Sequence, residues 1–530
     1  MAKAEEKPQI ESPAKGIAAI DIGSNSIRMV VAQVFADGTY EILERLQQAL
    51  RLGQDTFRKG RLSAETMRAG VVILRNYREL LGTYGVQQVR AVATSAVREA
   101  MNADTFLDRI LVATGLDVRA ISVAEESRLT TLAVRQAVGK KFLAQRQTLV
   151  VEVGGGHTIL NLLDKGEIKA THSVAVGSIR LQEVLETSSE PVEQAAKMIE
   201  HQIDSEVAAI AGQMPLKRIR ALVALGGDVR WAARQVGQKS PAAGLTNVSR
   251  KDLKSLIKQY QAYPTDGLAR TLKIPFTDAE TLTAALMVYN ALLQATAAEE
   301  MAVCEVSMRD GLLHDMAGAI SGVIDESASE LVLNSARALA ARYHAESRHT
   351  DHVCYLAGRL YDELKKPQSL NAEHKILLQA AAILHEVGAF ISSRAHHKHT
   401  YYIVANSEIF GFDPRELEIV AQVARYHRRS RPKSSHIEYI RLSREQKMIV
   451  NKLAAILRVA DALDVSRTQN VKNFACSMEN DELIITVSEP CDLTLEKRAV
   501  AMRGDLFEDI YGLKVVLRET NPPKALAVHE

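Results

Sequence analysis

Blocks of apolar and polar residues alternate along the first three hundred residues in a way that predicts strands and helices in turn. Residues 16–50 contain two or three strand-like runs, with Asp37–Gly38 as a hairpin turn between SIRMVVAQVF and YEILERLQQAL. Residues 63–85 have helical spacing with Ser63 as the N-cap, and two strand–helix units follow. Strands that alternate with helices predict an α/β domain built on a central sheet.

A second unit begins near residue 146 and repeats the start of the first. IAAIDIGSNSIRMVVAQV and TLVVEVGGGHTILNLLDK both place an apolar strand, an acidic residue, a glycine turn and another apolar strand in that order. The repeat predicts two copies of one phosphate-binding loop. Beyond residue 320 the pattern becomes helical and rich in histidine, and strand-like segments return near the end. The predicted segments are a disordered leader at 1–15, α/β units at 16–135 and 136–320, a helical domain at 321–470 and a small α+β domain at 471–530.

Composition narrows the classes of function. The 530 residues are 47% hydrophobic and carry a formal net charge of +2, so any site for a polyanion must be local. Four cysteines without a CxxC pair indicate neither a disulfide framework nor a zinc ribbon, and they fit a reducing cytoplasm. The polar N-terminus lacks the apolar core of a signal peptide. The longest apolar run, residues 283–298, contains Asn290 and Gln294 and predicts a buried helix rather than a membrane span.

Three glycine turns carry the first candidate chemistry. In the first, Asp21 ends a strand and a tight turn exposes the N–H groups of Ser24 and Asn25, which suits phosphate oxygens. An ordinary Asx hairpin turn is the alternative. The second turn has three consecutive glycines, which let a backbone approach a ligand closely. The predicted phosphate ligands of the second and third turns are Gly154, Gly155, Gly156, His157, Thr158, Gly226 and Gly227.

Charged residues near these turns add candidate roles. Arg98 lies on a predicted helix and can reach a phosphate, although a surface ion pair is the commoner fate of an arginine. Glu125 or Glu126 can act as a general base for water, and a charged helix cap is the alternative.

Seven ordered motifs between residues 17 and 315 resemble the exopolyphosphatase and guanosine pentaphosphate phosphohydrolase family. They are DIGSNSIR, ATSAVREAMN, EESRL, GGGHT, GSIRL, LGGDVR and SMRDGLL. The segments AAILHEVG, ARYHRRSRPK and LRVADALDVSR resemble the long members that carry an HD domain. The resemblance implies an α/β fold with two actin-like (ribonuclease H-like) lobes, an all-α HD-like domain and a small α+β C-terminal domain.

The resemblance also implies a mechanism in which water attacks the terminal phosphorus of a phosphoanhydride. Glu126 corresponds to the base, Glu152 is predicted as a second catalytic carboxylate, and Arg98 and Arg180 correspond to arginines that neutralise the phosphate chain. Asp21 and Glu152 correspond to ligands of Mg²⁺ or another divalent cation, because phosphoryl transfer depends mainly on positioning and electrostatic stabilisation.

The second turn departs from the family pattern at three positions. Glu152 replaces an aspartate, His157 replaces a serine, and Ile159 replaces a glutamate. A displacement near 1 Å at a catalytic group can cost on the order of a hundredfold in rate. Binding of phosphate is therefore predicted more firmly than turnover, and a catalytically weakened polyphosphate- or guanosine tetraphosphate-binding protein is an alternative.

The helical part offers two further candidate sites. His352, His385, Glu386 and Asp461 have the spacing of an HD metal site, although buried structural polar residues are the alternative. A basic, tyrosine-containing run predicts the wall of a polyphosphate channel. The predicted channel residues are Arg425, His427, Arg428, Arg429 and Lys433.

We therefore expect a cytoplasmic exopolyphosphatase that needs Mg²⁺ and releases terminal phosphate from inorganic polyphosphate. Hydrolysis of guanosine pentaphosphate in the same cleft is the alternative within the enzyme class. A nucleic acid partner ranks below polyphosphate because no RNA-binding signature accompanies the basic runs, and no membrane partner is expected. A kinase is disfavoured because no pocket for an acceptor sugar is recognisable. The resemblance implies a homodimer.

Overall fold

The computed structural model describes residues 15–519 apart from 145, 188–189, 241, 243, 322–325, 365–369, 408, 429 and 489–491. Contacts between residues divide the chain into two compact units, which meet at residues 326 and 327 and are described separately. The predicted leader, up to residue 14, lies outside the described residues.

Unit 1 begins with a five-stranded sheet, here sheet I, in the order β3-β2-β1-β4-β5. Its strands are β1 (Lys15–Ile22), β2 (Ser26–Val34), β3 (Tyr40–Ala49), β4 (Val86–Ala93) and β5 (Val118–Ala120). The first three strands are antiparallel, and β4 and β5 run parallel to β1. The predicted hairpin turn is confirmed, because the N–H and hydroxyl of Thr39 donate to Asp37 Oδ1 at 2.9 and 2.6 Å.

A seven-stranded sheet, here sheet II, follows in the order β10-β11-β12-β9-β6-β7-β8. Its strands are β6 (Thr148–Val153), β7 (Thr158–Asp164), β8 (Glu167–Val174), β9 (Ala221–Leu225), β10 (Gln238–Lys239), β11 (Leu245–Ser249) and β12 (Glu300–Cys304). Strands β8-β7-β6 are antiparallel, and β9 and β12 extend the sheet in parallel. The two sheets thus share one topology, and the internal repeat predicted from the sequence is present in the fold.

Helices cover both sheets. Those of unit 1 are α1 (Leu52–Lys59), α2 (Ala64–Thr83), α3 (Ser95–Arg98), α4 (Ala103–Thr114), α5 (Val123–Ala144), α6 (Ser178–Val184), α7 (Val192–Gln213), α8 (Gly227–Val236), α9 (Arg250–Tyr260), α10 (Thr265–Leu272), α11 (Phe276–Ala295) and α12 (Met308–Ser321), with a 3-10 turn at Leu216–Arg218. Helix α2 begins at the predicted cap, where Ser63 Oγ accepts from Thr66 N at 3.1 Å. The apolar run at 283–298 lies largely within the buried helix α11, as predicted.

The core explains why β1 is apolar without alternation. Successive residues of a strand point to opposite faces of the sheet. Ala18 and Ile20 therefore pack into the cluster on one face, and Ile17 and Ala19 pack into the cluster on the other. The second cluster includes residues of α12, so this helix packs on sheet I and differs from the predicted division, which grouped it with the second α/β unit. We call sheet I with its helices and α12 lobe I, and sheet II with its helices lobe II.

Unit 2 is mainly helical. Its helices are α13 (Glu326–Arg342), α14 (Ser347–Leu364), α15 (Ala372–Leu384), α16 (His396–Ala405), α17 (Pro414–Arg425), α18 (Ile437–Ile440), α19 (Arg444–Ala462), α20 (Thr494–Arg503) and α21 (Asp505–Tyr511), with a 3-10 turn at Val387–Phe390. Strands β13 (Phe474–Glu479), β14 (Glu482–Val487) and β15 (Lys514–Glu519) form a small sheet in that order. An α/β part followed by a helical part is the predicted class. None of the described helices combines the length and apolar content that crossing a membrane needs.

Candidate functional site

The two predicted phosphate turns have the same geometry. Gly23 N donates to Ser26 O at 3.0 Å, and Gly154 N donates to His157 O at 2.9 Å. Each turn joins the first two strands of its sheet, so Asp21 and Glu152 occupy equivalent positions two residues before the first glycine. Their cross-strand neighbours differ in chemistry, which makes the two copies of the loop electrostatically unequal.

The cross-strand neighbour of Asp21 is an arginine, whereas that of Glu152 is apolar. Arg28 lies opposite Asp21 in the β1–β2 register, and Ile159 lies opposite Glu152 in the β6–β7 register. Ile159 is buried at 2% exposure. Glu152 therefore receives no charge compensation from across its hairpin.

The turns of the two lobes meet at close range, and glycine is required where they do. A Cβ added to Gly155 would lie 2.8 Å from the Cβ of Ser24, and one added to Gly156 would lie 2.4 Å from Ser95 Oγ. Ser24 Oγ and Ser95 Oγ are themselves 3.0 Å apart in a hydrogen bond. Close approach of the lobes, rather than an unusual φ angle, explains the glycines at these two positions.

A cavity of about 430 Å³ lies between the lobes beside these turns. Its lining includes Gly23, Asn25, Gly154, Gly155, Gly226 and Gly227, together with Ser26, Arg28, Gln47, Glu152, Ser178, Asp228, Arg230, Trp231, Arg234, Asp278, Thr281 and Arg309. The structure thus brings all three predicted glycine turns to one cavity. Four of the lining side chains are arginines and three are carboxylates. Burial raises the pKa of all three carboxyl groups, and for Asp228 it raises the pKa to about 6.

Asp21 is held at the edge of this site by arginines. Arg309 donates to Asp21 Oδ2 at 2.9 Å, and Arg28 lies 3.9 Å from the same oxygen. The other oxygen, Oδ1, is buried and has no hydrogen-bond partner among the described residues. Glu152 accepts a hydrogen bond from Thr130 at 2.6 Å. Of the two carboxylates predicted to hold a metal ion, Asp21 therefore keeps one buried oxygen without a partner among the described residues.

Glu126, the predicted base, is clamped between two potential cations. Its Oε2 lies 3.3 Å from Arg98 Nη1 and 3.3 Å from His157 Nε2. Burial by itself would raise the pKa of Glu126, but His157 and then Arg98 outweigh burial and bring the pKa below its ordinary value. Glu126 is absent from the cavity lining among the described residues, whereas the turn that carries His157 contributes to it.

Other predicted phosphate ligands already have protein partners. Arg180 donates to the Gly156 carbonyl at 2.5 Å, pairs with Glu99 at 2.5 Å and lies 4.2 Å from the centre of the Phe57 ring. Thr158 is fully buried and donates to a backbone carbonyl at 2.5 Å. The roles of Arg180 and Thr158 in phosphate binding stay predictions. In the structure, both side chains hold the second turn in place through these contacts.

Comparison with known proteins identifies the family. The Ppx/GppA phosphatase family matches residues 30–319, and domain III of the Ppx/GppA phosphatases matches residues 333–504. The chain belongs to the Ppx/GppA phosphatase family. Its resemblance to that family, predicted from seven motifs, is thereby confirmed.

Two relatives illustrate the range of the family. A guanosine-5'-triphosphate,3'-diphosphate pyrophosphatase of Pseudoalteromonas translucida is 25% identical over 484 residues, which cover 89% of this chain and 92% of the relative. The crystal structure of an exopolyphosphatase from Cytophaga hutchinsonii matches with a TM-score of 0.52 and 22% identity, over 57% of this chain and 98% of that one. The second likeness shows the shared fold.

Motif analysis of this Ppx/GppA chain missed much of the cavity wall. Arg28, Gln47, Asp228, Arg230, Trp231, Arg234, Asp278, Thr281 and Arg309 were not predicted. Arg28 had a detectable signal, because hairpin register places it across from Asp21. Arg309 lies in the quoted motif SMRDGLL, but nothing local indicated its contact with Asp21, which is 288 residues earlier in the chain.

The residues predicted to form a polyphosphate channel in unit 2 differ in exposure and in their partners. Arg428 and Lys433 are exposed, and Arg429 lies outside the described residues. Arg425 pairs with Glu438 at 2.9 Å. His427 is 2% exposed, so its assignment to a surface channel was wrong. It belongs instead to a buried histidine cluster.

The candidate HD residues converge, with one substitution. His385, Glu386 and Asp461 lie together, but the histidine of α14 that joins them is His349, whose Nε2 is 3.3 Å from Asp461 Oδ1. The choice of His352 was wrong. His349 shares the buried face of α14 with residues four and seven positions later, whereas the ring of His352 stacks on Tyr355.

Proposed function

We propose that the cavity of unit 1 hydrolyses terminal phosphoanhydride bonds, with inorganic polyphosphate as its substrate. The observation that carries this proposal is the convergence of four arginines and two matched glycine turns on one cavity. Burial raises the pKa values of the lining carboxyl groups and so disfavours their negative charge, while arginine stays charged. A cavity of about 430 Å³ is within the usual range for small-molecule sites.

In this proposal the backbone binds the phosphates and the arginines neutralise them. The Gly23 and Gly154 turns line the cavity from two lobes, and Arg28 and Arg309 lie beside Asp21 at the first turn. Backbone N–H groups in succession are suited to phosphate oxygens. Fixed donors of this kind stabilise the charge that develops in phosphoryl transfer.

Asp21 and Glu152 would hold Mg²⁺. Asp21 keeps a buried oxygen without a partner, and one or two carboxylates together with substrate phosphates are a common ligand set for this cation. When bound, Mg²⁺ would offset charge on the phosphate oxygens.

Glu126 would accept the proton of the attacking water, and His157 would restrain it. A general base works best when its pKa approaches the operating pH, and His157 and Arg98 shift the pKa of Glu126 in the opposite direction. We therefore expect the chain to bind its substrate tightly and to hydrolyse it slowly. Replacing His157 with the serine typical of the family would remove one of the two clamping groups.

Hydrolysis of guanosine pentaphosphate is a second candidate, and Trp231 favours it. The indole lines the cavity and is fixed by a hydrogen bond from Nε1 to Tyr260 Oη at 3.1 Å. A flat aromatic side chain can stack on a nucleobase. The relative from Pseudoalteromonas translucida carries the name of a guanosine pentaphosphate-cleaving enzyme.

Orthophosphate release from long-chain polyphosphate and from guanosine pentaphosphate, measured side by side with Mg²⁺, tests both candidates. We expect Trp231→Leu to raise the KM for guanosine pentaphosphate about tenfold or more and to leave that for polyphosphate nearly unchanged. No release from either substrate, with tight binding of both, would make the chain a binding protein. The cytoplasmic location, homodimer and HD-like identity of unit 2 are further proposals that rest on the family resemblance.

A further inference from the structure

The centre of unit 2 contains a buried cluster of four histidines and two carboxylates that no step of the proposed reaction uses. Five members are almost inaccessible, with exposures of 2% for His349, 0% for His385, 6% for His396, 2% for His427 and 7% for Asp461. They come from α14, α16 and α19 and from the residues just after α15 and α17. Glu386 follows His385 and completes the set.

Each imidazole of this histidine cluster is oriented through Nδ1. His385 Nδ1 contacts the Ala382 carbonyl at 2.7 Å, and His427 Nδ1 contacts the Ala424 carbonyl at 2.6 Å. A carbonyl oxygen only accepts hydrogen bonds, so Nδ1 carries the proton and Nε2 presents a lone pair. The same holds for His396, whose Nδ1 contacts the Ser393 carbonyl at 3.3 Å.

His349 differs only in the nature of its acceptor. Its Nδ1 donates to the buried carboxylate of Asp464 at 2.7 Å. A carboxylate behind the outer nitrogen of a histidine is the arrangement that orients metal-binding imidazoles and raises their basicity.

The inward nitrogens face one another without donors between them. His396 Nε2 and His427 Nε2 are 3.2 Å apart, and with the ring protons on Nδ1 both nitrogens present lone pairs. His385 Nε2 is fully buried, lies 3.7 Å from Asp461 Oδ1, and has no hydrogen-bond partner among the described residues. Facing lone pairs at this distance repel unless a cation lies between them.

Two separations within the cluster match those of ligands that share one ion. Two atoms about 2.1 Å from a metal at right or tetrahedral angles lie about 3.0–3.4 Å apart. His396 to His427 and His349 to Asp461 measure 3.2 and 3.3 Å, and the ring centres of His385 and His427 are 4.9 Å apart. Ligand atoms of His349, His385 and Glu386 all lie within 4.8 Å of one another.

The carboxylates are anchored from behind and keep an oxygen for the centre. Arg503 pairs with Asp461 Oδ2, which leaves Oδ1 facing His349 and His385. Arg467 pairs with Glu386 Oε1. The ion pair with Arg503 therefore fixes Asp461 without using Oδ1, the oxygen that faces His349 and His385.

We propose that this histidine cluster is a binding centre for a divalent transition-metal ion, with His349, His385, Glu386 and Asp461 as ligands and with the facing Nε2 atoms of His396 and His427 completing the ligand set. Imidazole-rich sites suit Fe²⁺, Co²⁺, Ni²⁺ and Zn²⁺, whereas Mg²⁺ prefers oxygen ligands. The centre therefore differs in metal preference from the carboxylate pair of unit 1. This inference does not rest on the proposed hydrolase function.

Equilibrium dialysis of the full-length, chelator-treated chain against Co²⁺ in excess Mg²⁺ tests the proposal. We expect at least one Co²⁺ per chain, with a visible absorption spectrum of nitrogen-coordinated cobalt. His385→Asn should weaken binding a hundredfold or more. His352→Asn, on the same helix as His349 but outside the cluster, is the matched control and should bind Co²⁺ as the wild type does.

A second variant, which keeps every proposed ligand, tests the metal site without removing a ligand. Asp464→Asn retains every ligand and weakens only the acceptor behind His349, so a 10- to 100-fold lower affinity is expected. Circular dichroism checks that each variant folds. If the wild type binds no Co²⁺ in excess Mg²⁺, or if the spectrum lacks nitrogen coordination, the cluster shares a proton instead and the proposal is wrong.

Discussion

The fit of Gly156 between the lobes makes its substitution the most revealing single change in unit 1. A Cβ at this position would lie 2.4 Å from Ser95 Oγ, 2.5 Å from the end of the Phe57 ring and 2.8 Å from Ser95 Cβ. Ordinary contact begins near 3.4 Å, so Gly156→Ala requires the two lobes to separate locally by about 1 Å. The separation occurs at the second turn, beside the cavity.

Two consequences can be estimated from this displacement. Overpacking of a buried site typically costs about 1–3 kcal/mol of folding free energy. A 1 Å shift of catalytic geometry typically lowers a rate by about a hundredfold. We therefore expect Gly156→Ala to unfold at a temperature roughly 1–4 °C lower and to release phosphate from polyphosphate about a hundredfold more slowly.

Gly212→Ala is the matched control. Gly212 lies exposed near the end of α7 in the same lobe, and nothing lies within 4 Å of its added Cβ. A helical Gly-to-Ala change should stabilise the chain by up to about 1 kcal/mol and leave the reaction unchanged. Calorimetry and initial rates measure both effects. A Gly156→Ala chain with the melting temperature and rate of Gly212→Ala would refute the reasoning.

Three other changes probe the site and its support. His157→Ser should raise the rate of phosphate release roughly three- to tenfold, because it frees Glu126 from a clamping group. The same change should move the acid limb of the pH–rate profile to higher pH, and an unmoved limb would rule Glu126 out as the base. Asp228 has a pKa of 3.8 unfolded and about 6 folded, so stability should fall by up to about 3 kcal/mol as pH rises between these values, and urea unfolding of Asp228→Asn should lack that fall. Tyr289→Phe removes a hydroxyl that accepts from Val153 N at 2.9 Å and donates to a carbonyl of β9, so denaturant unfolding should show a loss of about 1–3 kcal/mol; an unchanged midpoint would mean that the pairing of β6 with β9 does not need it.

Local patterns predicted the turns and the repeat well, because both depend on neighbouring residues. Asp21 and Glu152 could be aligned from sequence alone, since each precedes a glycine turn between apolar strands. The partners of these acids were harder to find. Arg309 reaches Asp21 only because α12 returns to sheet I, and no periodicity encodes a contact across 288 residues.

Side-chain direction caused the clearest errors in unit 2. Spacing alone favoured His352, but the helix turns its buried face toward His349. His427 was assigned to a basic surface because arginines surround it in sequence, yet it lies two residues beyond the end of α17 with its ring turned inward. The apolar face of α14 would have placed His349 in the cluster, but no helix face includes His427.

The central claim is that unit 1 cleaves phosphoanhydrides with Glu126 as the base, and one comparison of rates tests it most directly. Initial release of orthophosphate from polyphosphate with Mg²⁺ should be measurable for the wild type and at least a hundredfold slower for Glu126→Gln, while both bind the chain equally. Equal rates for the two proteins, or binding without release by either, would contradict the claim.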